Sequence, residues 1–243
     1  MLMEVFVAAL ISDLATGVGA LPFLFINRVG PRWNGLAAAA ASGMMLSASV
    51  FALADKALHR GRAVDVILGM LAGALFFAWT AKVVEKQHWH LGDWSESDSR
   101  KSILVIATMF VHSVPEGIAI GVGYATGEYK FGLLLAAAIA VHNIPEGTAV
   151  SLPLRARGAS VWRCFWYAVL TSVPQPLLAV PAFLLTSVFQ PLVAPSLGFA
   201  GGAMIFLVMS ELLPESLQSC SRTDTAWGVT LGLVLGFGTD FLL

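Results

Sequence analysis

The sequence HSVPEG at residues 112–117 lies in the middle of an apolar run, residues 102–124, and it recurs as HNIPEG at residues 142–147. The second copy also lies in the middle of an apolar run, residues 131–153. Each copy places a His, a Pro and a Glu inside a stretch long enough to cross a membrane, where all three are unfavourable. Two such motifs on consecutive helices indicate an all-α membrane protein whose function depends on these residues.

The spacing within each motif places its two ionisable residues on one side of a helix. His112 and Glu116 are four residues apart, as are His142 and Glu146, and such pairs lie one turn apart on the same face. The two spans are consecutive and antiparallel, so both motifs reach a similar depth near the membrane midplane. We expect two imidazoles and two carboxylates to converge there, which makes a site for a divalent transition metal.

The rest of the chain has the composition of a polytopic membrane protein. Hydrophobic residues make up 57% of the 243 residues, charged residues make up 12%, and the mean hydropathy is +0.79. A helix needs about 20 apolar residues to cross the hydrocarbon core. The segments of that length are 3–26, 35–55, 64–83, 102–124, 131–153, 162–186, 193–214 and 226–243. We predict one transmembrane domain, residues 1–243, with eight transmembrane helices and a retained first span rather than a signal peptide.

Positive charges divide unevenly between the two sides of these spans. If the loops alternate, the richer side holds Arg28, Arg32, Lys82, Lys86, Arg100, Lys101, Arg155, Arg157, Arg163 and Arg222. The other side holds Lys56, Arg60, Arg62 and Lys130. The positive-inside rule places the first set in the cytoplasm, so both termini are predicted to be extracytoplasmic.

The longest hydrophilic stretch, residues 85–101, is predicted to be a cytoplasmic loop between spans three and four. It contains His88 and His90, followed by three acidic residues, Asp93, Glu96 and Asp98. His-x-His with nearby carboxylates could hold a metal weakly, as a sensor or a way-station. A solvated loop with coincidental histidines is the interpretation that we favour.

The residue types of the buried motif restrict the kind of metal. Neutral imidazole and carboxylate groups, without a thiolate, suit zinc, iron(II), manganese or cobalt better than copper(I). Calcium and magnesium prefer sites made of oxygen atoms alone. The sequence therefore favours a transition-metal dication.

The proline and the glycine of each motif predict the shape of the two helices. Pro115 and Pro145 remove backbone donors and free the carbonyls four residues earlier. Gly117 and Gly147 allow helix backbones to approach closely, as small residues do in membranes. We expect two bent helices that are drawn together at one depth.

Two other interpretations of the motif are weaker. A buried His–Glu clamp could serve helix packing alone, but one copy would suffice for that. A metal-activated water could make the site an intramembrane hydrolase. The zinc proteases would show HExxH, and neither that sequence nor GxSxG occurs in the chain.

Further polar residues lie within or near the ends of other spans. Gln175 lies between Pro174 and Pro176, which are predicted to break the sixth span. Discontinuous helices around a midplane site are typical of carriers. Four acids could form a path for the metal on either side of the centre, Asp55 and Asp240 on the outer side and Glu211 and Glu215 on the inner side. Each of these residues alone is more often a helix-end residue.

Taken together, these residues resemble the ZIP (Zrt/Irt-like) family of divalent metal transporters, and in particular its compact bacterial GufA-like members. The matching features are HxxPEG in spans four and five, ELLPE in span seven, the number of spans and the outward termini. The resemblance implies an inverted repeat, in which spans one to three and spans six to eight pack around spans four and five. It also implies transport of zinc, or of iron, manganese or cadmium, into the cytoplasm.

The resemblance further implies a two-metal site. Its first position corresponds to His112, Glu116, His142 and Glu146, with Met45 of span two. Its second position shares the two glutamates and adds Ser113, Asn143 and Gln175, where members typically have Asn in place of Ser113 and Glu in place of Gln175. An amide in place of a carboxylate removes a negative charge, so we expect one strong metal and a weakened or absent second one.

We therefore expect a zinc uptake transporter, and not an enzyme, in a bacterial-type plasma (inner) membrane. The metal is its substrate rather than a cofactor, and its partners are divalent cations and the lipid bilayer, with no nucleic acid. The alternatives are an Fe²⁺, Mn²⁺ or Cd²⁺ carrier of the same family and, from other classes, an intramembrane metal hydrolase or a metal sensor. A homodimer is compatible with the resemblance, and the sequence shows no interface pattern for it.

Overall fold

The computed structural model of the protein describes residues 1–26, 30–86, 96–156 and 158–241. Within these residues the chain is helical and contains no strand. The helices are α1 (Leu2–Val18), α2 (Pro31–Ser47), α3 (Ala63–Lys86), α4 (Glu96–Ala125), α5 (Tyr129–Ala156), α6 (Val161–Ser172), α7 (Pro174–Val188), α8 (Val193–Leu207), α9 (Leu213–Ser219) and α10 (Arg222–Phe241). Shorter helical segments are Leu21–Leu24, Ala48–Asp55, Lys56–Leu58, Gln190–Leu192 and Val208–Leu212.

Seven helical stretches within the described residues are long and apolar enough to cross a membrane. They are Leu2–Leu24, Arg32–Leu58, Ala63–Val84, Ile106–Ala125, Tyr129–Leu152, Val161–Val188 and Gln190–Ser219. The eighth predicted span corresponds to α10, which packs along α2. The prediction of an all-α polytopic membrane protein is confirmed.

The helix contacts show the symmetry of an inverted repeat. The most extensive packing joins α3 to α8 and α10 to α2 in one group, and α4 to α7 and α1 to α5 in another. An inverted repeat would exchange span one with six, two with seven, three with eight and four with five. This exchange turns the α3–α8 contact into the α10–α2 contact, and the α4–α7 contact into the α1–α5 contact. Spans four and five therefore lie in the same group as spans one and six, where their motifs face α1 and α7.

Spans two and seven, which this symmetry relates, share an irregularity. Each changes from α-helix to π-helix part of the way along, at Ala48–Asp55 after α2 and at Val208–Leu212 after α8. π-helical turns widen the hydrogen-bonding pattern and occur frequently at functional sites. The second of these turns contains Glu211, one of the predicted pathway residues.

The glycines of the two motifs permit close helix contacts, as predicted, but with helices other than those expected. A Cβ at Gly147 would overlap the carbonyl oxygen of Thr16 on α1. A Cβ at Gly117 would lie 2.8 Å from the Cα of Gln175 on α7. The motifs are therefore held against α1 and α7, and not only against each other.

The prolines and the long loop partly differ from the expectation. The sixth span breaks as predicted, because α6 ends at Ser172 and α7 begins at Pro174. Each motif proline lies inside one continuous helix, Pro115 in α4 and Pro145 in α5, and the bend expected of each stays a prediction. The α4 helix begins at Glu96, so the end of the predicted loop is helical, whereas His88, His90 and Asp93 lie outside the described residues.

Five tryptophans are exposed near helix ends. They are at least 61% exposed, namely Trp33, Trp79, Trp162, Trp166 and Trp227. They lie at the start of α2, α6 and α10 and toward the end of α3, which are ends on the predicted cytoplasmic side. Exposed Trp near the ends of apolar helices is typical of a membrane–water interface.

Candidate metal centre

Three of the predicted ligands converge between the two motif helices. Glu116 of α4 and His142 and Glu146 of α5 each offer a ligand atom, and these atoms all lie within 4.8 Å of one another. All three side chains are buried, with exposed fractions of 0%, 1% and 4%. This arrangement of one imidazole and two carboxylates matches the nitrogen and oxygen ligands that zinc accepts.

One side-chain contact joins the two motif helices directly. The Nε2 atom of His142 lies 3.1 Å from Oε1 of Glu116, and both side chains are buried. The hydrogen at this contact belongs either to the imidazole or to the carboxyl group. A metal cation that displaced it would be held by both side chains.

His112 lies outside this three-residue group. Its Nδ1 atom donates to the carbonyl of Thr108, 2.9 Å away, and its ring packs edge-on against Phe77 of α3 with centroids 5.3 Å apart. Its Nε2 atom is buried and has no hydrogen-bond partner among the residues that the structure describes. The Nδ1 bond assigns the proton to Nδ1, so Nε2 has a free lone pair one helical turn from Glu116.

A chain of side-chain hydrogen bonds connects α1 to the cluster through α5 and α7. The amide NH₂ of Asn143 donates to the carbonyl and the hydroxyl of Ser12, at 3.0 and 3.1 Å, and to Oε1 of Gln175 at 3.2 Å. The amide NH₂ of Gln175 donates to Oε2 of Glu116 at 2.7 Å. Both oxygens of Glu116 are thus engaged, one by His142 and the other by Gln175.

Three buried acceptor atoms on predicted ligands have no hydrogen-bond partner within the described part of the chain. They are Nε2 of His112, Oδ1 of Asn143 and Oε1 of Glu146. A buried acceptor without a partner costs about 1–3 kcal/mol. Such atoms around one cluster favour a cation as the missing partner.

The charges of the cluster lead to the same conclusion. Among the described residues, no Lys or Arg forms an ion pair with Glu116 or Glu146. Two carboxylates buried side by side in a low-dielectric region repel each other and lose their hydration. A bound dication would neutralise both.

The remaining predicted ligands are buried but have other contacts. The Ser113 hydroxyl donates to the carbonyl of Met109, 3.3 Å away on its own helix. Met45 is fully buried in the main core at the end of α2, and its carbonyl accepts from Ser49 at 2.7 Å.

The predicted pathway acids have different surroundings. Glu211 lines a cavity of about 530 Å³ between α3, α4 and α8, together with Lys82, Thr108 and Ser210. Glu215 accepts from the side chain of Asn34 at 3.1 Å. Asp55 is exposed and lies 3.6 Å from His59, and the side chain of Asp240 lies outside those that the structure describes.

Three residues that contact predicted ligands were not predicted from the sequence. Thr108 contributes a backbone carbonyl, and Ser12 contributes a carbonyl and a hydroxyl, neither of which stands out within an apolar span. Phe77 is one of many aromatic residues in the spans. Asp13, next to Ser12 in the sequence, is 2% exposed, and its Oδ1 has no partner among the described residues. It carried a usable signal, since an ionisable residue within an apolar span indicates a functional site.

Comparison with known proteins agrees with this geometry. The family model described as ZIP Zinc transporter matches residues 80–243. The chain is 33% identical to the zinc transporter GufA of Myxococcus xanthus, over 94% of this chain and 96% of that protein. It is 35% identical to the zinc transporter ZIPB of Bordetella bronchiseptica, over 94% of this chain and 76% of that protein.

A putative zinc transporter of Arabidopsis thaliana is 41% identical over 90% of this chain, and the chain spans 35% of that longer protein. The match to GufA extends along nearly the whole of both chains and includes both motif helices. The chain belongs to the ZIP zinc transporter family.

Proposed function

We propose that this protein carries zinc, as a divalent cation, across the membrane into the cytoplasm through the centre formed by Glu116, His142 and Glu146. The observation that carries the proposal is the convergence of these three buried ligand atoms within 4.8 Å, from two helices of apolar spans. Family membership supports transport rather than enzymatic catalysis. Relatives named as zinc transporters support zinc as the substrate.

The ligand set supports a transition-metal cargo. We propose that His112 completes the first position, because its Nε2 lone pair is free and lies one turn from Glu116. Met45 and the second position, formed with Ser113, Asn143 and Gln175, stay predictions from the family resemblance. Protons compete with metal for imidazole and carboxylate groups, so zinc binding weakens in acid.

The packing around the centre supports release toward the side that holds Lys82. Toward the turn that joins α4 to α5, residues such as Tyr124 and Ala125 are buried. In the other direction, the cavity that contains Glu211 reaches Thr108, whose carbonyl holds the His112 ring. We propose that this side is cytoplasmic, in agreement with the distribution of Lys and Arg, and that both termini are extracytoplasmic.

Zinc uptake by liposomes tests the proposal. The purified chain is reconstituted with a zinc-sensitive dye inside, and zinc is added outside. The wild type should take up zinc, and Glu116→Gln combined with Glu146→Gln should not, because the shape is kept while both charges are lost. Glu128→Gln, an equal change far from the centre, should retain uptake.

Two outcomes would contradict the proposal. If wild-type protein binds zinc in detergent but produces no flux, transport is wrong, and a cleavage assay for a metal hydrolase and a metal-dependent signalling assay become the next tests. If the double glutamine variant transports like the wild type, the path lies elsewhere. The same liposomes with Fe²⁺, Mn²⁺ and Cd²⁺ identify the preferred cargo, which ligand type alone does not select.

A further inference from the structure

Gln175 has a hydrogen-bonding role at the centre that differs from that of a ligand. Its amide NH₂ lies 2.7 Å from Oε2 of Glu116, on the side of that carboxylate opposite to His142. Hydrogen bonds to a charged acceptor at this distance are among the stronger ones in proteins. A second cation bound to Oε2 would therefore meet the amide hydrogens of Gln175.

The orientation of the Gln175 amide follows from its neighbours. The carbonyl of Ser12 only accepts, so the group of Asn143 that faces it must be the NH₂. The same NH₂ faces Gln175, and two NH₂ groups would repel, so Gln175 must present its oxygen to Asn143. Its own NH₂ is then directed to Glu116. A backbone carbonyl of α1 thus determines which end of Gln175 faces the metal centre.

The charge balance of the cluster agrees with this orientation. A neutral amide stabilises the buried Glu116 carboxylate without adding a negative charge. Two carboxylates, Glu116 and Glu146, compensate one dication, whereas a second dication would leave excess positive charge in the low-dielectric interior.

We propose that Gln175 is a positioning residue that keeps the centre mononuclear: it holds Oε2 of Glu116, directs Oε1 toward His142 and Glu146, and excludes a second cation. The inference rests on the proposed zinc centre and deepens it. Outer partners of this kind typically change metal affinity by about 10–100-fold when they are removed.

Zinc binding to three purified variants in detergent tests the role. Gln175→Met keeps an unbranched side chain of similar length without a donor, and Gln175→Glu keeps the shape while it replaces the donor with a carboxylate oxygen. Gln190→Met is the matched control, because the Gln190 amide donates to the carbonyls of Ala125 and Thr186, away from the centre. The readouts are bound zinc per chain, the dissociation constant, and the X-ray absorption spectrum of bound Co²⁺.

The wild type and Gln190→Met should bind one zinc per chain. Gln175→Met should still bind one, roughly 10–100-fold more weakly and with an altered oxygen shell around Co²⁺. The metal-free variant should also unfold at a lower temperature, because Oε2 of Glu116 loses its donor. Gln175→Glu should bind two. Two zinc ions in the wild type, unchanged affinity in Gln175→Met, or one zinc in Gln175→Glu would each overturn the inference. Absence of zinc binding by every variant would instead overturn the proposed function.

Discussion

The two motifs of α4 and α5 have nearly the same sequence, but their side chains occupy different surroundings. In α5, His142 reaches across to Glu116, and Asn143 bonds to α1 and α7. In α4, His112 and Ser113 each hydrogen-bond to a carbonyl of their own helix. The α5 copy therefore connects helices, whereas the α4 copy supplies the shared carboxylate of Glu116. Equal motifs do not imply equal roles when the neighbouring helices differ.

The largest expected difference between the copies is in folding. Gly147→Ala would force a methyl group into the Thr16 carbonyl on α1, where the backbone itself must move, so we expect a loss of about 3 kcal/mol or more. Gly117→Ala also meets backbone atoms, of Gln175 and Pro174, but at 2.8–2.9 Å rather than 1.7 Å. A smaller shift is then enough, so it should cost about 1–2 kcal/mol. Thermal unfolding in detergent measures both.

Gly238→Ala is the control for these substitutions, since no atom lies within 4 Å of the added Cβ. It should leave the unfolding temperature unchanged or raise it slightly, because Ala is favoured over Gly within a helix. Equal unfolding temperatures for Gly147→Ala and Gly238→Ala would show that the α1–α5 contact is looser than described.

The next difference is in metal affinity. His142→Ala removes a member of the three-residue cluster, and zinc should bind more than about 100-fold more weakly, which exceeds the effect of losing an outer partner. His112→Ala removes the proposed fourth ligand, which lies outside this cluster in the structure, so we expect a smaller loss, of about tenfold. Competition titration with a chelator of known affinity measures both, and the reverse order would assign the principal imidazole to α4.

The residues that follow the two histidines should differ in the same direction. Asn143→Ala breaks the hydrogen bonds to Ser12 and Gln175 and frees the Gln175 amide, so zinc affinity should fall by about tenfold. Ser113→Ala removes only a bond to the Met109 carbonyl of its own helix. The zinc affinity of the Ser113→Ala variant should stay within about twofold of the wild type in the same titration, because Ser113 does not hold another ligand in place.

The smallest effect concerns the turn that joins the two copies. Glu128 in this turn forms ion pairs with Lys56, at 2.7 Å, and with Arg60, whose guanidinium also donates to the carbonyl of Thr126 at 2.5 Å. The hydrogen bond from Lys56 and the nearby Arg60 lower the pKa of Glu128. Since Glu128 is half-exposed, Glu128→Gln should cost only about 0.5–1 kcal/mol and leave zinc affinity unchanged.

The pH dependence of that loss has a defined sign. A carboxyl whose pKa is lowered by folding contributes stability above its unfolded value, near 4.3 for Glu, and loses that contribution as the pH falls through the folded pKa. The difference in unfolding temperature between wild type and Glu128→Gln should therefore be full at pH 7 and disappear in stronger acid. A difference that is as large in stronger acid as at pH 7 would assign the effect to packing rather than to charge.

Much of the architecture could be predicted from the sequence because it depends on repetition and spacing. Apolar runs of membrane-spanning length predict the helices, and a four-residue spacing predicts that His142 and Glu146 share a face. The pairing of Glu116 with His142 across two helices also follows from antiparallel consecutive spans. Thr108 could not be found in this way, since its contribution is a backbone carbonyl. Ser12 could not be found either, since spacing does not indicate that its carbonyl and hydroxyl meet Asn143.

The sequence by itself determined the class of the protein, its membrane-spanning helices and the ligand types of the candidate metal centre, because hydrophobic length and side-chain chemistry are properties of the chain. Only the tertiary structure decided which ligands meet. It separates His112 from the three-residue cluster, packs Gly147 against Thr16 of α1, and turns the Gln175 amide toward Glu116. These outcomes depend on which helices become neighbours and on which polar atoms remain to be paired after the backbones have packed, and residues distant in the sequence determine both.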